Sequence, residues 1–390
     1  MKKRITSAIL AALFVITILV SAAVPASAAT QYTYRNTPDF KVSVNGKSVK
    51  FSAAPVTITQ TNTVLVPAGF FRTNLGISYT KSGSTLNLGS GKLKVTIGYA
   101  SCYVNNVKST LPCPAFTING TDYIPFDFAV KKLGFKIVYN SGSGVYCVNT
   151  TGYGKTQFDS LVGTVAKKYK NVSVTYLNPV TGETYTCGNT DQYLTQSTIK
   201  AAYCAYLVYS GAKMTDTIKL TTPVKASGSG VLVAKNVGKS YTIKTLINYV
   251  LKYSDNQAYY MLLNKYGRTG YNSFIKNVIG ITNPTLTGTS MFSYATSAEM
   301  AKVMAYIYNN RTACSYLITC MSSEEAYIAL GTTNSVAQKY GYNTGSYHDI
   351  AIVYDDVPYV LSIFTNEDAT SDVFKKVTEK VQQFHDKVTA

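Results

Sequence analysis

The chain has 390 residues, with 37 Lys and Arg against 19 Asp and Glu, a formal charge of +18, and only two histidines, His348 and His385. That length allows two or three domains, and two histidines with no C-x-x-C pair argue against a zinc or copper site, so no metal or other cofactor is expected. The lysines are dispersed, with no basic helix or finger pattern, so the charge points to anionic cell-wall polymers, lipid surfaces or acidic glycans and not to nucleic acid.

The start reads as a secretory signal. Lys2, Lys3 and Arg4 precede an apolar run from Ala8 to Val20, and Ala26-Ser27-Ala28 is a small-residue cleavage site. A signal peptide over 1–28 is predicted, with the mature chain beginning at Ala29 and a linker over 29–40. The protein is expected to be secreted or held at the cell surface.

From about Lys41 to Asn149 one pattern occurs twice. The first copy reads Val44-Asn45-Gly46, Val64-Leu65-Val66-Pro67 and Leu75-Gly76-Ile77. The second reads Val104-Asn105-Asn106, Tyr123-Ile124-Pro125 and Leu133-Gly134-Phe135. The Val/Ile-Pro and Leu-Gly pairs recur at the same separation of 58 residues. Each copy predicts strand, turn, strand, short helix, strand, with helices at Ala68–Asn74 and Phe126–Lys132. These marks resemble the copper amine oxidase-like N-terminal domain of bacterial surface proteins. The segment has no histidine, so the copper of that family's name does not carry over. The resemblance implies a non-catalytic spacer or wall-binding module over 41–150.

The remainder, 151–390, changes character. A helical pattern at Phe158, Leu161, Val162, Val165 and Tyr169 leads to a hairpin, Val172–Leu177 and Glu183–Cys187 around Asn178-Pro179-Val180-Thr181-Gly182. Next comes Gln196-Ser197-Thr198-Ile199-Lys200. If a helix opens there, positions three apart share a face, and the Ser197 hydroxyl meets the Lys200 amine. That is one way to activate a serine nucleophile. The same spacing at Ser78/Lys81, Ser210/Lys213 and Ser273/Lys276 keeps open a bland alternative, an N-cap serine with a solvated lysine. A mostly helical stretch covers roughly 242–310. Strands His348–Tyr354 and Tyr359–Thr365 follow, then a last helix over Ser371–Val388. Terminal helices flanking a split antiparallel sheet, with a helical block inserted, predict an α+β sandwich.

Ser254-Asp255-Asn256 lies 57 residues after Ser197, and Lys339-Tyr340-Gly341 precedes the strand at His348. Ser-x-x-Lys, Ser-Asp-Asn and a Lys-x-Gly edge strand, in this order, resemble the set of class A β-lactamases and penicillin-binding proteins. The resemblance spans about 230 residues of the chain. It implies that Ser197 attacks an amide carbonyl and becomes acylated, and that Lys200 takes its proton. That role needs a neutral amine, which burial and a nearby Lys339 both favour. Ser254 would pass a proton to the leaving nitrogen. Asn256 would bind the substrate's side-chain amide or Lys200, and Lys339 would bind a substrate carboxylate and tune Ser254. The backbone N–H groups of Ser197 and Tyr342, beside Gly341, would form an oxyanion hole. His348 reads as structural, and Asp349 as a plain strand-start carboxylate.

Two departures stand out. Tyr340 replaces the small hydroxyl of the family's Thr or Ser, which puts carboxylate recognition in question. The class A loop glutamate has no counterpart: 257–298 contains no Asp or Glu, and Glu299 reads as part of a helix start after Thr296. The expectation is a serine hydrolase for β-lactams or peptidoglycan-like amides, penicillin-binding and D,D-peptidase-like in character, with slow deacylation. The alternative is a non-catalytic wall-binding protein that keeps the fold as a scaffold. Among the seven cysteines, Cys102–Cys113 and Cys314–Cys320 are close enough in sequence to pair.

Overall fold

The computed structural model describes residues 16–17 and 32–389, apart from 141–142, 170, 222–228, 234–235, 323–326 and 367–370. The signal segment and its cleavage motif thus lie outside the described residues, Ile16–Thr17 excepted. The chain divides into two compact units, Met1–Thr150 and Thr151–Ala390.

The first unit is mostly strand. One sheet orders Ile16–Thr17, Thr33–Asn36, Val56–Ile58, Thr63–Pro67, Thr121–Pro125 and Phe116–Ile118. A second is a five-stranded meander from Tyr79 to Thr110, and a third joins Lys136–Asn140, Val145–Asn149, Lys41–Val44 and Lys47–Ser48. The repeat is visible in the pairing. Thr63–Pro67 runs antiparallel to Thr121–Pro125, and Val66 stands directly opposite Ile124. These are equivalent residues of the two copies, so a local two-fold axis passes between them. Each of these strands leads into a short helix, α1 (Gly69–Thr73) and α2 (Phe126–Leu133). Gly134, at φ 101°, closes α2 in the left-handed conformation that a side chain resists. Phe70, Phe71, Phe126, Val130 and Leu133 from the helices pack on Leu86, Leu88, Leu93 and Val95 of the meander.

The second unit is built on a five-stranded antiparallel sheet. In chain order its strands are β1 (Val172–Leu177), β2 (Thr184–Gly188), β3 (Ser335–Asn343), β4 (Ser346–Tyr354) and β5 (Tyr359–Thr365). Their spatial order is β2-β1-β5-β4-β3, which leaves β3 at an edge. The central strands are buried at nearly every position because both faces are covered. Ile350 and Ile352 of β4 face the helical block, while Ala351 and Val353 face the terminal helices. On that second side, the final helix (Ser371–Val388) buries Phe374, Val377, Val381 and Phe384, a stripe at helical spacing. On the first side lie α3 (Ile199–Tyr209), α4 (Ile243–Lys252), α5 (Asn256–Tyr266) and α6 (Ser297–Asn309). This is the α+β sandwich expected from the sequence.

The seven cysteines are all buried thiols. Neither pairing raised by sequence proximity is made. Cys102 and Cys113 sit in different apolar clusters. Cys314 and Cys320 lie six residues apart on one helical run, about 9 Å of rise, beyond disulfide reach.

Candidate active site

Ser197 is delivered by a tight lead-in. The Thr195 amide and hydroxyl both donate to the Ser293 carbonyl, at 2.8 and 2.9 Å. Gln196 then takes φ 48°, a left-handed conformation uncommon outside glycine, and Gln196–Thr198 form a single 3-10 turn ahead of α3. The helix starts at Ile199, so Lys200 falls in its first turn with its side chain fully buried.

Lys200 is the hub of the site. Its Nζ lies 2.9 Å from Ser197 Oγ, 2.6 Å from the Ser254 carbonyl, 3.2 Å from Ser254 Oγ and 2.6 Å from Asn256 Oδ1. The Ser254 carbonyl and Asn256 Oδ1 can only accept. As an ammonium, Lys200 donates to both and has one further hydrogen for Ser197. As a neutral amine, it spends both hydrogens on those oxygens, and its lone pair is left for a hydroxyl proton. Of the two roles considered for Asn256, the structure shows the bond to Lys200.

The Ser254-Asp255-Asn256 segment is a rigid turn. Ser254 has φ 52°. Asp255, fully buried, caps α5 by accepting from the Ala258 amide at 2.7 Å. Its other oxygen accepts from the Val231 and Leu232 amides at 2.6 and 2.8 Å. The Asn256 amide donates to the Ser229 carbonyl at 3.1 Å. Gly230 fits there because a Cβ would come within 2.5 Å of the Asp255 carboxylate.

The edge strand β3 closes the other side. A Cβ on Gly341 would stand 2.8 Å from both Ser197 N and Gln196 Cβ, and 3.0 Å from the Thr195 carbonyl. Only glycine lets the strand backbone lie this close to the Ser197 amide. Lys339 is fully buried, and its Nζ donates to the Tyr340 carbonyl at 2.9 Å.

The model of the β-lactamase enzyme family matches residues 155–384, more than half of the chain. The chain belongs to that family. The copper amine oxidase N-terminal domain matches residues 43–148. A β-lactamase-family chain also has the solved neighbours expected for the fold. The β-lactamase from Sphaerobacter thermophilus DSM 20745 superposes with a TM-score of 0.52 at 20% identity, over 60% of this chain and 98% of that one. The β-lactamase from Streptosporangium roseum gives 0.52 at 19%, over 60% and 100%. A mutant of PBP-A, solved as an acyl-enzyme complex with penicillin G, gives 0.52 at 17%, over 58% and 96%. At these identities the likeness is one of fold. Comparison with curated proteins finds no match.

The first unit's family name raises copper, and the residues do not fit it. Residues 43–148 contain no histidine. Asp122 and Asp127 are each engaged by a lysine, Lys81 and Lys131. Among the described residues, no group of three or more His, Cys, Asp or Glu is placed to hold a metal.

Within this β-lactamase-family unit, Tyr340 does not simply extend where a threonine would. Its ring lies 4.3 Å from Lys339 Nζ and meets Tyr327 edge-on at 5.9 Å. Tyr327 in turn stacks on Phe374 of the final helix at 4.7 Å. Glu299 is spoken for. It accepts from the Thr296 amide and hydroxyl, at 2.9 and 3.1 Å, as half of a capping box on α6, and from the Asn283 amide at 3.0 Å. His348 is structural. It stacks on Phe364 at 4.2 Å, its Nε2 lies 2.9 Å from the Leu194 carbonyl, and burial pushes its pKa down to about 4. Asp349 accepts the Ile328 amide at 2.9 Å, tying β4 to the turn under the final helix.

Sequence reasoning missed three contributors: Gln196, the Ser229–Leu232 segment and Tyr327. Gln196 carried no signal, since glutamine is not a residue that marks a left-handed backbone. The other two act through backbone atoms or ring packing across long sequence separations, which no local pattern reports.

Proposed function

We propose that the second unit is a serine hydrolase that opens β-lactam or peptidoglycan-like amides through a Ser197 acyl-enzyme. The observation that carries this reading is Lys200 Nζ at 2.9 Å from Ser197 Oγ, with carbonyl acceptors at 2.6 Å on two other sides. Neutral Lys200 takes the Ser197 proton as Oγ attacks the carbonyl carbon. The negative charge that develops on the carbonyl oxygen is met by the N–H groups of Ser197 and Tyr342. The proton on Lys200 passes to Ser254 Oγ, 3.2 Å away, as Ser254 gives its own to the leaving nitrogen. The carbon–nitrogen bond breaks and the acyl group stays on Ser197. Lys339 supplies the positive charge near an anionic substrate group.

Water must then release the acyl group. No carboxylate occurs in 257–298, and Glu299 is held by three donors. Slow deacylation follows, which gives a penicillin-binding, D,D-peptidase-like character. The protein acts outside the cell, after cleavage of the signal near Ala28, a point that N-terminal sequencing of the exported protein checks.

The test is intact-protein mass after brief incubation with a penicillin, beside Ser197→Ala. A stable adduct of one drug molecule, absent from the variant, supports the reading. Consumption of free drug without an adduct would reveal an overlooked deacylating base. Untouched drug sinks the β-lactam reading. It favours the second reading, a wall-binding scaffold, which draws on the Tyr340 ring packed against Lys339.

A further inference from the structure

The first unit carries a cavity that the proposed chemistry does not use. Its volume is about 640 Å³, within the range of small-ligand pockets. Phe126 forms a buried floor, and Phe40, Phe128 and Tyr146 are half-buried around it. Phe40 and Tyr146 lie 5.0 Å apart, and Phe126 meets both rings edge-on. Thr63 and Thr110 also line the wall. Lys131 and Lys132 stand at the rim, Lys131 bonded to Asp127 and Lys132 5.6 Å from the Phe128 ring.

The unit as a whole is cationic, and at the cavity Asp127 offsets Lys131 and leaves Lys132 as the net positive charge. Residues 32–150 hold twelve Lys and Arg against three Asp, and two of those, Asp122 and Asp127, are in ion pairs with lysines. Partly exposed aromatic rings offer flat apolar faces to the C–H faces of sugar rings. Hydroxyls suit sugar hydroxyls, and a cationic rim suits carboxylates. We propose that this cavity binds an acidic glycan, sugar rings bearing carboxylates, and so anchors the protein on an anionic polysaccharide. A phosphate polymer without rings would satisfy the lysines and leave the aromatic wall unused.

The test uses the full chain and a labelled hexamer of galacturonic acid, read by fluorescence anisotropy. Binding is expected, with roughly tenfold loss in Phe128→Ala and in Thr110→Tyr, which fills the mouth from an exposed strand. Lys132→Gln should weaken binding several-fold and flatten its salt dependence. Poly(glycerol phosphate) should bind more weakly and ignore Phe128→Ala. No binding, binding indifferent to both Phe128→Ala and Thr110→Tyr, or equal binding of the phosphate polymer with the same losses would each overturn the proposal. Thr110→Tyr covers a folding defect in Phe128→Ala. Ser197→Ala should bind the hexamer unchanged, which separates this result from the fate of the hydrolase reading.

Discussion

Lys200 and Asn256 are bonded to each other, Nζ to Oδ1 at 2.6 Å, although 56 residues separate them. The contact turns two motifs into one site, because Asn256 also fixes which way the amine's remaining valences point. Asn256→Ala should therefore slow Ser197 acylation by about tenfold to a hundredfold while leaving the fold intact. Rates of adduct formation by mass spectrometry, beside circular dichroism, check this.

Lys200→Met removes the amine proposed as the base and keeps most of the buried volume. Acylation should fall by about 10² to 10⁴, as for any positioned general base. A variant that acylates at the parental rate would mean that another group takes the proton.

Asp255 holds three backbone N–H groups. Asp255→Ala leaves those donors without partners, two of them buried. A loss of about 2–4 kcal/mol is expected, measured by urea unfolding of the full chain. A change below about half a kcal/mol would show the turn to be held by other contacts.

Gly341→Ala sets a methyl group against the Ser197 backbone. The strand must back away, and a displacement of that order costs about a hundredfold in a positioned reaction. Stability should change much less than rate, since β3 is an edge strand and can shift outward.

His348 makes the fold acid-sensitive. Its folded pKa is about 4, below the ordinary value near 6.5, so the unfolded chain binds the proton more readily. Stability is full above about pH 6.5 and is lost as pH falls from there toward 4, by about 3 kcal/mol in all. His385, also lowered by burial, acts in the same direction. Urea midpoints between pH 7 and 4 should show this slope, and His348→Asn should make it shallower.

Much of the second unit was legible because its signals are periodic. The three-residue step from Ser197 to Lys200 survives a 3-10 opening turn, and the stripe on the final helix runs at helical spacing. The Val66/Ile124 equivalence was legible as a repeat, though its pairing was not. The cysteine pairing stayed open because proximity in sequence says nothing about which apolar layer a side chain enters. The holding of Asp255 by Val231 and Leu232 was invisible, since backbone amides leave no mark in the sequence.

The pairing of Val66 with Ile124 has a bearing on how the first unit tolerates damage. Each copy completes the other's sheet along one shared seam. Truncation that removes the second copy would strip Thr63–Pro67 of its neighbour and expose an edge of alternating valine and leucine. The geometry that now joins two copies within one molecule is equally suited to joining two cut molecules. A first unit truncated near Ala100 is thus expected to self-associate through Val66, and light scattering would report it.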